Sequence, residues 1–156
     1  MDIQTYLEGI GIRSRLIDHA PVYTVAESME HLPGKFPVKN LLLKEEKGDR
    51  HMFVIMKGDE RLNTKNLQEL TGCKKLQFAK PEVLMDKLGV EPGSASVFSL
   101  LYEGSGGVEV AIDKRLFDQD EVGFHPSKNT QTLFIQGSDI KLFLDHLQCK
   151  YIALDI

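Results

Sequence analysis

Apolar positions along this chain recur at two periods, and the change from one to the other marks out its elements. Ile3, Tyr6, Leu7 and Ile10 fall at i, i+3, i+4 and i+7 behind Asp2 as a cap, which predicts a first helix ended by Gly11. Residues 12–17 read as extended. Thr24-Val25-Ala26-Glu27 has the reciprocal capping pattern and predicts a short helix to about Leu32, stopped by Pro33-Gly34. Two apolar runs, 39–45 and 51–57, flank the polar turn Glu46-Lys47-Gly48-Asp49-Arg50 and form a hairpin. A helix follows over 64–70, ending at Gly72, and then a short strand over 76–79. Pro81 suits the first position of another helix, which Gly89 closes. Strands are expected at 108–112 and 130–135. Ser138 caps an amphipathic helix through Leu147, and 151–154 is a last strand.

Strands interleaved with helices, at least one pair joined as a hairpin, require a mixed sheet rather than a parallel one. The fold class is therefore α/β of the α+β-like kind. The length of 156 residues suits one domain, 1–156, and 42% hydrophobic with 27% charged residues is ordinary for a globular chain. Cys73 and Cys149 have no neighbouring Cys or His at metal-ligand spacing, so both read as reduced thiols of a cytoplasmic protein. The first residues carry neither a basic nor an apolar signal region, and no apolar run reaches the ~18 residues of a membrane span. A net charge of −4 argues against coating DNA or RNA electrostatically, but it allows a local grip on one RNA end. Lys35, Lys39, Lys44 and Lys128 are candidates for such a basic rim.

The chain has no GxxxxGK[ST], no strand-linked GxGxxG, no HExxH, no CxxC and no GxSxG. Nucleotide cradles, metal sites and an esterase elbow are therefore unsupported, and no cofactor or metal is expected. Gly104-Ser105-Gly106-Gly107 reads as a plain flexible loop. Three segments stand out. Lys39 heads the apolar run Leu41-Leu42-Leu43, where a lysine also commonly snorkels to the surface. The small residues of Glu91-Pro92-Gly93-Ser94-Ala95-Ser96-Val97-Phe98 would let backbone N–H groups approach a ligand, or make an ordinary loop. In Gly123-Phe124-His125-Pro126-Ser127-Lys128-Asn129-Thr130, the proline holds His125 extended and Asn129 also suits a turn cap. Taken singly, none of these specifies an activity.

Read in order they do more. His19-Ala20-Pro21 with Thr24-Val25-Ala26-Glu27, Lys39-Asn40-Leu41-Leu42-Leu43-Lys44, and Pro92-Gly93-Ser94 with Phe98 come first. Val108-Glu109-Val110-Ala111-Ile112-Asp113, Phe124-His125-Pro126 with Asn129 and Thr130, and Ser138-Asp139-Ile140 with Phe143-Leu144 follow. Together these resemble the YbaK/ProX family of aminoacyl-tRNA deacylases over about residues 1–147, nearest its free-standing alanyl-tRNA(Pro) branch. The resemblance implies a curved, largely antiparallel mixed sheet surrounded by helices, like the editing domain of prolyl-tRNA synthetases. It also implies Lys39 as the catalytic residue and Gly93, Ser94, Ala95, Ser96 and Val97 as the family's GxxxP loop. Here the sequence departs, with Val97 where the family has proline and Ser99 where it has glycine.

On that resemblance, water attacks the aminoacyl ester at the 3′ end of a mischarged tRNA, Ala-tRNA(Pro) above all. N–H groups of 93–97 receive the charge that develops on the carbonyl oxygen. Lys39 adds a positive charge beside phosphate or ester rather than acting as the nucleophile. His125 suits a general base or a wall of the amino-acid pocket, and the resemblance favours the wall. A second, smaller pocket makes sense, because a missing methylene or two discriminates only ~10–200-fold. Asn40 and Asn129 are further substrate-binding candidates. The partners implied are the tRNA acceptor end with a prolyl-tRNA synthetase or an elongation factor, and neither DNA nor membrane. The alternatives are a deacylase for Cys-, Ser- or Thr-charged tRNA, and a non-catalytic module binding tRNA ends or an amino acid for regulation.

Overall fold

The expected hairpin lies at the centre of the molecule. In the computed structural model, which describes residues 2–21, 36–126 and 130–155, β2 (Val38–Glu45) and β3 (His51–Lys57) pair antiparallel, from Val38 opposite Lys57 to Lys44 opposite His51. β5 (Glu109–Asp113) adds parallel to β3, and β8 (Tyr151–Leu154) adds parallel to β5. On the other side, β4 (Leu76–Phe78) pairs antiparallel with the end of β2. β3 has sheet neighbours on both edges and apolar cover on both faces, which accounts for five consecutive buried residues in a strand the sequence shows as one apolar run.

A second, antiparallel sheet has the order β1-β7-β6, with β1 at Ser14–Asp18, β6 at Val122–Phe124 and β7 at Gln131–Ile135. β6 lies beside β2 without a hydrogen-bonded ladder, so the two sheets continue each other as one curved wall. Among the described residues, antiparallel pairings outnumber parallel ones, as the resemblance implies.

The inner face of that wall carries the larger core. Leu42, Phe53, Ile55, Val110 and Ile112 come from one sheet, and Val122, Phe124, Leu133 and Ile135 from the other. Helix α1 (Ile3–Gly9) adds Leu7, and helix α4 (Gly137–His146) adds Ile140, Phe143 and Leu144. On the outer face of the hairpin, Leu43, Met52, Val54 and Met56 pack with Leu67 of α2 (Thr64–Thr71) and with Cys73. Gly72 and Gly89 end α2 and α3 (Pro81–Leu88) in the left-handed region, φ +75° and +66°, as their positions after the last apolar residues predict.

Three features differ from the sequence expectations. α4 begins at Gly137 with Gln136 as its cap, so Ser138 lies within the first turn. A Cβ at 137 would collide with the Leu116 carbonyl, so close packing rather than capping sets that start. β6 is too short for its period to show in sequence. The turns at Val97–Leu101, Glu103–Ser105 and Lys114–Asp118 are 3-10 helices that follow no apolar period, and the second of them falls in the segment read as a flexible loop. The helix expected after Thr24 lies outside the described residues.

At the far end of β3 and β5, one buried carboxylate gathers several donors. Asp113, fully buried, accepts from the Lys57 N–H at 3.3 Å, the Arg115 N–H at 3.0 Å and the Arg115 Nε at 3.0 Å. The same guanidinium reaches Glu60, with Nη1 at 2.9 Å from Oε1 and Nη2 on Oε2. Burial alone would raise the Asp113 carboxyl, but the Arg115 side-chain and backbone hydrogen bonds outweigh it and hold it below its ordinary value. Arg115 likewise holds Glu60 low.

Candidate active site

Strand alternation separates the two candidates on β2. Lys39, opposite Met56, shares the outer face with Leu41 and Leu43, whereas Asn40, opposite Ile55, faces the larger core. Lys39 is half-buried, and its ammonium makes no hydrogen bond or ion pair among the described residues. The Asn40 Oδ1 is buried and likewise without a hydrogen-bond partner there. An unpaired buried acceptor costs ~1–3 kcal/mol, so Asn40 Oδ1 adds nothing to folding and is a candidate for a ligand or water contact. Lys44, five residues from Lys39, points to the opposite face about 17 Å further along the strand. The two therefore do not make one basic rim, and Lys35 and Lys128 lie outside the described residues.

The 93–97 loop is shaped from inside by two serines. The Ser96 N–H donates to Ser99 Oγ at 3.0 Å, the Phe98 N–H donates to Ser96 Oγ at 3.2 Å, and the Ser99 N–H donates to the Ser96 carbonyl at 2.9 Å. Both side chains are buried. Ser94 turns its N–H back to the Glu91 carbonyl, 3.1 Å away. Gly93, at φ +89°, occupies a conformation suited to glycine. The N–H groups of Gly93, Ala95 and Val97 have no acceptor among the described residues. The departures from the family pattern thus have a physical account. Val97 packs fully into the core, and the Ser99 hydroxyl holds a loop that proline would otherwise stiffen.

Phe98 links this loop to the histidine segment. Its ring meets Phe124 edge-on at 5.7 Å and Phe143 at 5.6 Å. His125 follows Phe124. Its Nδ1 lies 2.9 Å from the Gln131 carbonyl, which only accepts, so this nitrogen carries the proton. Burial pushes the imidazole below its ordinary pKa, against the Gln131 carbonyl and with neighbouring His19. His19 is held in the same way. Its Nδ1 donates to the Ala20 carbonyl at 2.8 Å, and its Nε2 lies 2.7 Å from Thr132 Oγ1. The two rings are 6.1 Å apart, tilted by 55°.

Sequence reasoning did not assign His19 or Thr132 to the site. The only available signal was the His19-Ala20-Pro21 motif, because Thr132 is one polar residue in an apolar strand. Thr132 alternates with the core-facing Leu133, which places the His19–His125 pair on the outward face, as Lys39 is on β2. Ala95 and Val97 lie in the larger core cluster, on the side Asn40 faces. Asn129 lies outside the described residues. Among the described residues no cluster of three metal-ligating side chains occurs, and no helix is long and apolar enough to cross a membrane.

A curved mixed sheet carrying unpaired polar groups, with a loop of N–H donors packed on it through Phe98, defines an α/β domain with a candidate ligand site. The chain belongs to the aminoacyl-tRNA editing domain family, whose model matches residues 19–143. It is 35% identical over 138 residues to the prolyl-tRNA editing protein ProX of Acetoanaerobium sticklandii, covering 86% of this chain and 84% of that one. It is 29% identical over 150 residues to the mouse (Mus musculus) prolyl-tRNA synthetase associated domain-containing protein 1, covering 92% and 88%. The fold also matches a crystal structure described as a candidate trans-editing enzyme for prolyl tRNA synthetase. That match has a TM-score of 0.73 at 18% identity, over 99% of this chain and 95% of that one.

Proposed function

We propose that this chain, as a single editing domain spanning 1–156, removes a wrongly attached amino acid from tRNA, with Ala-tRNA(Pro) as its substrate. Its relationship to ProX supports editing as the reaction, and the serine-held loop is the observation that carries the chemistry. Water adds to the ester carbonyl, and the C–O bond to the terminal ribose breaks. The ribose oxygen takes up a proton, releasing free amino acid and tRNA. Negative charge develops on the former carbonyl oxygen, which the N–H groups of Gly93, Ala95 and Val97 are suited to receive. Ser94 and Ser96 belong to the same binding loop and keep its shape.

From the outward face of β2 Lys39 brings an uncommitted positive charge to the ester or the terminal phosphate, and from the opposite face, the side of the 93–97 loop, Asn40 offers its unpaired carbonyl oxygen to the substrate. Asn129, by its place in the family motif, is a further substrate-binding candidate. His125 walls the amino-acid pocket, so that alanine enters and proline does not. The partner is the acceptor end of the tRNA in the cytoplasm, delivered by a prolyl-tRNA synthetase or an elongation factor.

The test is single-turnover deacylation of Ala-tRNA(Pro) beside Pro-, Cys-, Ser- and Thr-charged tRNAs, by the parent and by Lys39→Ala. Rapid loss of alanine alone, suppressed by the substitution, is the expected result. Turnover of another small aminoacyl-tRNA would keep the chemistry and assign the altered preference to Val97 and Ser99. No turnover of any charged tRNA would sink the enzyme reading and leave a binding module.

A further inference from the structure

Residues 130–132 hold both histidines. The Thr130 carbonyl accepts the His19 backbone N–H at 2.9 Å, the Gln131 carbonyl takes the His125 Nδ1 proton, and Thr132 Oγ1 meets His19 Nε2. The Thr132 hydroxyl makes no other hydrogen bond among the described residues, and His19 carries a proton on Nδ1, which faces the Ala20 carbonyl. His125 has its Nδ1–H committed to the Gln131 carbonyl, and burial disfavours its charged form. Its Nε2 therefore presents a lone pair, and no protein donor reaches it among the described residues. A half-buried ring whose Nδ1–H is already committed and whose Nε2 is an unclaimed acceptor makes a poor seat for an anion and a good one for a cation that donates hydrogen bonds.

We infer that His125 Nε2 receives the α-ammonium group of the aminoacyl ester, and that His19 and Thr132 are positioning residues that hold the ring for this contact. The inference rests on the editing reading and adds a chemical filter to the steric one. An ester that lacks a free α-ammonium, through replacement by hydroxyl or through acylation of the nitrogen, leaves the acceptor empty. It also distinguishes this role from general-base catalysis at the same nitrogen, which would serve every ester alike.

The experiment compares alanyl-, lactyl- and N-acetylalanyl-tRNA(Pro) in single turnover, each rate divided by that ester's uncatalysed hydrolysis. A charge-assisted hydrogen bond corresponds to ~10–100-fold, so the parent is expected to prefer alanyl over lactyl by that factor. His125→Phe keeps the wall but removes the acceptor. It should bring the ratio near one by slowing the alanyl reaction, and His125→Gln, whose amide oxygen can replace Nε2, should restore part of it. Thr132→Val should lower the ratio several-fold, a change that general destabilisation does not produce. Equal corrected rates for alanyl and lactyl esters in the parent, which needs no variant to fold, would overturn the inference while leaving the editing reading intact. So would a ratio that survives His125→Phe. If the parent hydrolyses no aminoacyl-tRNA, the editing reading fails and the inference falls with it.

Discussion

The Arg115 corner and the His125 wall are both polar regions of a mainly apolar fold, and they differ in how completely their groups are paired. At the corner, Asp113 is surrounded by donors and Arg115 is shared between two carboxylates. At the wall and the adjoining β2, Asn40 Oδ1, His125 Nε2 and the Lys39 ammonium have no partner among the described residues. Saturated polar groups hold strands in place. Unsaturated ones weaken the fold slightly and remain available to something that is not protein. On the proposed reading the wall supplies chemistry while the corner supplies stability, so substitutions should affect one without the other.

The largest separation is expected from Lys39→Ala. If Lys39 acts as proposed, losing its charge should slow deacylation by ~10²–10³-fold, with the thermal midpoint unchanged because the ammonium has no partner among the described residues to lose. Asp113→Asn should do the reverse. Urea unfolding should show a loss of about 2–4 kcal/mol, as Arg115 is left with Glu60 alone and the Lys57 N–H loses a charged acceptor. The rate per folded molecule should be unaffected. A fall in turnover there would show that the two regions are coupled.

Ser99→Ala tests the boundary between them, since it strands the buried Ser96 N–H. A cost of about 1–2 kcal/mol in unfolding is expected, together with a few-fold loss of deacylation as the loop loosens. The smallest effect concerns acid. Asp113 and Glu60 are both held below their ordinary values, so their stabilisation is fully present at neutral pH. It is lost only as pH falls below about 4 and through the lower folded-state values. An acid titration of Asp113→Asn by circular dichroism should be flatter than the parent's in that range.

Much of the fold was legible because local chemistry and tertiary packing agree. The hairpin expected at 39–45 and 51–57 is observed at Val38–Glu45 and His51–Lys57, since its apolar residues and polar turn admit few other arrangements. Gly72, Pro81 and Gly89 mark helix boundaries by backbone geometry alone, which neighbours cannot override. Where the two levels diverge, sequence reading misplaced an element. Ser138 is a good cap in isolation, but close packing at Gly137 starts the helix earlier.

For the site, the sequence contained the residue types and, through family resemblance, their order, but not their facing or their pairing. Lys39 and Asn40 are adjacent in sequence and point to opposite faces because strand side chains alternate. Lys39 and Lys44 share a strand and cannot share a rim for the same reason. His19 and His125, 106 positions apart, meet only because β1 and β6 flank β7.

By itself, the sequence determined the hairpin, the helix ends at Gly72 and Gly89 and the mixed character of the sheet, since these depend on backbone preference and on periods a few residues long. Only the tertiary structure decided which polar groups remain unpaired, because a hydrogen-bond partner is a matter of distance between residues that the chain order leaves far apart. It is that pairing, and not the residue types, that separates the Asp113 that braces two strands from the His125 whose Nε2 has no partner among the described residues.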